Sequence, residues 1–244
     1  MIFSILIALT IATSALCAVD NVTFPVNPCK RNSSNYSACL KNALEELWPQ
    51  LVEGLPEINF PPLDPFFYDY SKAVFNRGQI YGEINVFNIT ITGIRKTHFL
   101  AIRPYIYDDK YRFEIDVEVP RLVIDGDSNA IGSLGGIRMG GKGYFNAIAE
   151  NITATFYITG HAENDTLVME HFRVIPIIEK LKIHFEDFFE GNTELNDLLE
   201  MFVNEFWPSL YRTLIPIATD VWDQWFTNFC NRFLSKVSIS QIFP

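Results

Sequence analysis

The chain has 244 residues, a formal net charge of −10, and 14% aromatic residues, with 21 Phe. Its Lys and Arg are scattered rather than clustered, which together with the acidic balance argues against nucleic acid or an anionic membrane surface as partner. So much bulky apolar side chain exceeds what a protein for polar ligands needs.

Met1–Cys17 carries no charged side chain and is apolar nearly throughout, yet it is too short for a comfortable membrane span. The small residues Ala15 and Cys17 precede a candidate cleavage point, with a cut after Ala18 as the alternative. The segment 1–17 is therefore predicted to be a secretory signal peptide, and the protein to be extracellular. The remainder, 18–244, has no linker, low-complexity tract or strong repeat and is read as a single domain. It offers no long uncharged apolar run, so no stable membrane insertion is expected.

Six glycosylation sequons, at Asn21, Asn32, Asn35, Asn88, Asn151 and Asn164, agree with secretion. An occupied Asn must face solvent. Cys29 and Cys39 enclose a short polar loop and should be bonded in an oxidising compartment. Cys230 is left over, either as a buried free thiol or as one half of an intermolecular bridge.

Residues 36–53 form an amphipathic helix, with Leu44, Leu47, Trp48 and Leu51 on one side and Glu45, Glu46 and Gln50 on the other. Gly54 is its stop signal, and Pro56 follows two residues later. Pro61, Pro62 and Pro65 then require an extended connection.

Strand patterns run from about Lys72 to Glu186. In Arg112–Val119 the apolar Phe113, Ile115, Val117 and Val119 alternate with charged residues. Lys180–Glu186 repeats that alternation with Leu181, Ile183 and Phe185. Across Tyr144–Gly160, a solvent-facing Asn151 turns Ile148, Ile152, Phe156 and Ile158 inward and leaves Glu150 on the same face, which calls for a bend or bulge. Gly82, Gly93, Gly126, Gly143 and Gly160 are spaced like turns.

From Asn192 to Phe243 apolar residues recur at steps of three or four, with almost no clean polar face. A helix this apolar must be surrounded. Pro208 and Pro216 should bend or divide it. Strands first and a long helix last indicate an α+β fold, with a strongly curved antiparallel β-sheet wrapped around the C-terminal helix. Such an arrangement can enclose an apolar tunnel. The alternative is a solidly packed core.

Enzyme chemistry finds no support in the residues, and neither cofactor nor metal is expected. Gly136–Gly143 resembles a phosphate loop but has Gly where Ser or Thr should bind magnesium, and a strand pattern where a helix should follow. Gly132–Gly136 is not a nucleophile elbow. His98, His161, His171 and His184 are dispersed, with no metal-ligand spacing.

The order of these features resembles the insect takeout and juvenile-hormone-binding protein family, within the tubular lipid-binding superfamily. The resemblance runs from the Cys29/Cys39 pair through ACLKNALEELWPQLVEGLPEI, PPLDP, FEIDVEVPRLVIDGD and GGKGYFNAIAENITATFYITG to GNTELNDLLEMFVNEFWPSLYRTLIPIATDVW. It implies a tunnel for a small hydrophobic ligand, a terpenoid, juvenile-hormone-like or fatty compound, and a shared N-terminal disulfide. The hormone-binding branch adds a second disulfide to the C-terminal helix. Here Cys230 has no mid-chain cysteine to meet, so the takeout-like branch fits better.

The function expected is a secreted carrier that binds and transports such a ligand. The alternative is a secreted interaction or signalling module of the same fold without cargo, its receptor unknown. Lining candidates on the sheet are Phe113, Ile115, Val117, Ile152, Phe156, Leu181, Ile183 and Phe185. On the helix they are Phe202, Phe206, Leu210, Leu214 and Trp222. The first helix is a candidate cover for one end.

Overall fold

A computed structural model describes residues 28–77, 80–134 and 137–242. The expected signal peptide with its cleavage point and the sequon Asn21 lie outside the described residues. Helix α1 spans Tyr36–Glu53. Six strands follow: β1 Phe66–Arg77, β2 Ile80–Thr92, β3 His98–Tyr107, β4 Lys110–Leu134, β5 Ile137–Glu163 and β6 Thr166–Glu186. Helix α2, Thr193–Leu234, and a final turn of helix, α3 Ile239–Ile242, close the order.

All pairings are antiparallel, in the order β1-β2-β4-β5-β6. Strand β4 is long enough to serve two partners along one edge, β3 at its start and β2 further on. The sheet is curved and does not close into a barrel, so β1, β3 and β6 remain edge strands.

The long strands change face midway. On β4 the buried positions are Tyr111, Phe113, Val117 and Val119, then Gly126 and Ser128. On β5 they are Ala147 and Ala149, then Ile152, Ala154 and Gly160. Register places Val119 against Ile152 and Glu150 against Lys180, so the change of phase runs in one row across Pro120, Asn151 and Glu179. Asn151 adopts φ 52°, a left-handed conformation that Asn tolerates better than most residues. Asn88 does the same on β2, where the pairing with β4 shifts register between Phe87 and Thr90. These bends let strands of more than twenty residues curve while keeping one apolar face inward. The irregularity expected near Glu150 is present. Ile148, however, shares its row with exposed Lys182 and not with buried Ala147 and Ala149.

The glycines also differ from expectation. Gly93, at φ 103°, opens a short 3-10 turn. Gly82, Gly126, Gly143 and Gly160 instead lie inside strands. A Cβ on Gly143 would stand 2.3 Å from the Glu186 carbonyl oxygen, and one on Gly160 2.3 Å from that of Val168.

Helix α2 runs unbroken for 42 residues, about 63 Å, through both Pro208 and Pro216. The Asn192 side chain caps its start by accepting from the Leu195 N–H. The helix lies along the β6 edge and satisfies backbone groups there with its own side chains. Asn204 accepts from the Ile183 N–H at 2.8 Å and donates to the Ile183 carbonyl at 2.7 Å. Asn231 treats Met169 in the same way, at 2.8 Å for both bonds. Tyr211 donates to the Pro176 carbonyl at 2.6 Å, and Asp223 accepts from the Phe172 N–H at 2.8 Å. Each asparagine amide stands in for a neighbouring strand, which removes the hazard of an open edge.

The core lies under α1. Tyr36 and Leu40 pack with Ile102, Tyr111 and Phe113, and Trp48 meets Phe99 edge-on at 5.1 Å. The Cys29–Cys39 disulfide anchors the entry to this helix. Asp64, in the proline-rich connection, accepts from the Gly93 and Arg95 N–H groups and so ties that connection to the β2–β3 turn.

Candidate functional site

The lining candidates separate into three regions. Phe113 and Val117 are buried, and Ile115 and Phe156 half-buried, all in the packed layer that includes Leu44 and Trp48 of α1, whereas Ile152 is buried in a separate cluster with Val119 and Ala149. Val117, at 1% exposure, is among the most enclosed side chains. Leu181 is half-buried against Val119, Ala149 and Ile152, beyond the row of bends. Ile183 is half-buried and held by Asn204, while Phe185 meets Phe188 at 5.7 Å. On α2, Leu210, Leu214 and Trp222 are half-buried. Phe202 and Phe206 pack ring to ring at 5.1 Å, and each is 51% exposed.

That exposure was not anticipated from the sequence. The N-terminal half of α2 leaves Leu195, Leu198, Met201, Phe202 and Phe206 uncovered, although so apolar a helix should be surrounded. Asn204 lies two positions from each phenylalanine and is bonded to Ile183, so both rings project from the side of the helix turned away from β6, which is why they stay open. In the C-terminal half the helix is better covered. Phe226 meets Phe172 at 5.2 Å, and Phe172 meets Phe156 at 5.6 Å, an aromatic path from α2 to the layer under α1.

The other edge of the sheet also reaches α2. Phe66 and Tyr68 of β1 pack edge-on against Trp225 at 5.4 and 4.9 Å, and Trp225 stacks on Phe229 at 5.0 Å. A cleft of about 380 Å3 opens at this seam, lined by Pro61, Pro62, the Phe66–Tyr70 stretch, Trp225, Phe229 and Arg232. Sequence reading gave no hint of it, because it joins residues more than 150 positions apart.

The polar residues missed in the sequence are those that fasten α2. Burial raises the pKa of the Asp223 carboxyl, but donation from Arg173, His171 and the Phe172 N–H outweighs it and holds the group below the ordinary carboxylate range. The available signal was an isolated Asn or Asp inside an otherwise greasy helix. Three histidines are paired with carboxylates: His161 with Glu170, His171 with Asp223, and His184 with both Glu200 and Glu186. Among the described residues no group of three or more His, Cys, Asp and Glu is placed to hold a metal ion. Cys230 is a free thiol, and burial pushes its pKa up to about 12. Of the sequons, Asn32, Asn35, Asn88, Asn151 and Asn164 are all exposed. Among the described residues no helix is long and apolar enough to cross a membrane.

The fold and sequence both have relatives. The chain is similar to the crystal structure of Takeout 1 from Epiphyas postvittana, with a TM-score of 0.70 and 19% identity over 89% of this chain and 99% of that one. A likeness to lipopolysaccharide binding protein, with a TM-score of 0.32 and 13% identity over 78% and 38% of the two chains, is too weak to carry an argument. No curated protein matches the sequence. The family model described as haemolymph juvenile hormone binding protein matches residues 5–244. With the long helix, the curved antiparallel sheet and nearly the whole sequence in agreement, the chain belongs to the haemolymph juvenile hormone binding protein family, whose members are carriers of hydrophobic ligands.

Proposed function

We propose that this protein is a secreted carrier which holds a small lipophilic molecule between the apolar face of its sheet and α2. The observation that supports this most is the open row Leu198, Phe202 and Phe206 on α2, a run of large apolar side chains that no other part of the described chain covers. Exposing this much apolar surface on one helix is costly in water. A guest that covers it gains about 25 cal/mol for each Å2 removed from solvent. Leu210, Leu214 and Trp222 extend that wall along α2, and the Phe113–Phe156 layer under α1 closes the far end. Secretion as one domain from residue 18 rests on the uncharged leader Met1–Cys17, the Cys29–Cys39 disulfide and the exposed sequons.

Titration with a fluorescent naphthylamine probe tests the reading. Saturable uptake by the wild type is expected, together with its loss in Phe206→Asp. Phe206 is half open to solvent, so the variant should keep its fold, which circular dichroism verifies. Unchanged uptake in a folded Phe206→Asp protein removes this wall from the site. Absence of uptake, with clean organic extracts of protein from its natural source, favours an interaction module without cargo.

A further inference from the structure

We propose that the cleft at the β1–α2 seam receives the carboxylate of an amphipathic acid, with Arg232 as the receiving group. The inference rests on the carrier reading and names its ligand class. The cleft holds about 380 Å3, at the lower end of the roughly 300–1,000 Å3 typical of small-molecule sites. It therefore suits a head group and the first part of a chain. Its floor is aromatic: Phe66, Tyr68, Trp225 and Phe229 pack on one another at 4.9–5.8 Å. An apolar tail can lie along these ring faces.

Among the described residues two charged ones line it, Asp69 on β1 and Arg232 on α2. The Arg232 guanidinium lies 5.4 Å from the centre of the Phe229 ring and 5.9 Å from that of Phe233. Rings stabilise the face of this planar cation and leave its in-plane N–H groups free for a bidentate carboxylate. Among the described residues no carboxylate forms an ion pair with it. In a chain of net charge −10, such a cation beside an aromatic cleft provides the complement to an acidic head. Asp69 repels the same head from the β1 wall and so directs it to α2.

Calorimetric titration with dodecanoic acid and with dodecanol tests this on the intact protein. The acid should bind about tenfold more tightly than the alcohol, and Arg232→Met should erase that difference while leaving alcohol affinity unchanged. Asp69→Asn should tighten acid binding severalfold. A brominated acid should quench Trp225, so Trp225→Phe should lose most of the quenching. Equal affinity for acid and alcohol, or an acid preference that survives Arg232→Met, overturns the head-group assignment and leaves the carrier reading standing. If neither compound binds and the naphthylamine probe is not taken up, both are overturned.

Discussion

Replacing Asp223 with Ala should loosen the joint between α2 and the β6 edge. Its side chain is 9% exposed and accepts from the Phe172 N–H at 2.8 Å, His171 Nδ1 at 2.9 Å and Arg173 Nε at 3.0 Å. Truncation leaves the Phe172 N–H without its acceptor, which costs about 1–3 kcal/mol. His171 and Arg173 are 56% and 52% exposed and can turn to water, so each lost pair adds no more than about 1 kcal/mol. The sum is about 3 kcal/mol. For a chain of this size that lowers Tm by roughly 6–12 °C in a calorimetric scan. Asp223→Asn keeps an acceptor for Phe172 and should lose about half as much. The folded pKa lies below the unfolded one, so the charge-dependent part of this stability is full above the unfolded pKa of about 3.9 and is lost as pH falls through the folded pKa. The gap between wild type and Asp223→Asn should therefore be widest at neutral pH and close in strong acid. An Asp223→Ala protein within about 2 °C of wild type would refute the view that α2 is held through this residue.

Three further outcomes follow from the same structure. Gly143→Ala places a Cβ 2.3 Å from the Glu186 carbonyl oxygen and 2.9 Å from the Phe188 backbone, and should cost about 2 kcal/mol or more in urea unfolding. A neutral result would mean that β5 and β6 are less tightly coiled there. The Cys29→Ser/Cys39→Ser double variant opens a loop with a sequence separation of 10, which removes about 3 kcal/mol in the chain-entropy model. An unchanged urea midpoint would contradict it. Cys230, with its thiol pKa pushed up to about 12, should resist iodoacetamide at pH 8 in the native protein and react readily once unfolded. Equal rates in the two states would show that the thiol is not shielded.

Two devices that set the shape of this molecule act through backbone groups rather than side-chain mass. The row Pro120–Asn151–Glu179 turns the strands so that their apolar face stays inward along the curve. The asparagines of α2 then complete the hydrogen bonding of the β6 edge, where a seventh strand would otherwise be needed. Together they hold α2 along the sheet without closing the barrel.

Local pattern alone determined that α1, the alternating segments of β4 and β6, and the long terminal helix would form. Alternation in Arg112–Val119 and Lys180–Glu186 and three-to-four spacing after Asn192 are properties of neighbours in sequence, which a pleat or a helix converts directly into a face. The same pattern named an inner face correctly wherever the strand stayed regular. It failed at Ile148, because one left-handed residue at Asn151 reverses the phase, and only the pairing with Pro120 and Glu179 places that residue. It misread Gly82, Gly126, Gly143 and Gly160 as turns although they lie inside strands; at Gly126, Gly143 and Gly160 the cause is backbone from another strand arriving at close range. The bonds from Asn204, Asp223 and Asn231 to β6, the exposure of Phe202 and Phe206, and the seam where Arg232 meets β1 were likewise decided in three dimensions. Each depends on which distant segment comes to lie alongside, a consequence of sheet curvature that no run of adjacent residues encodes.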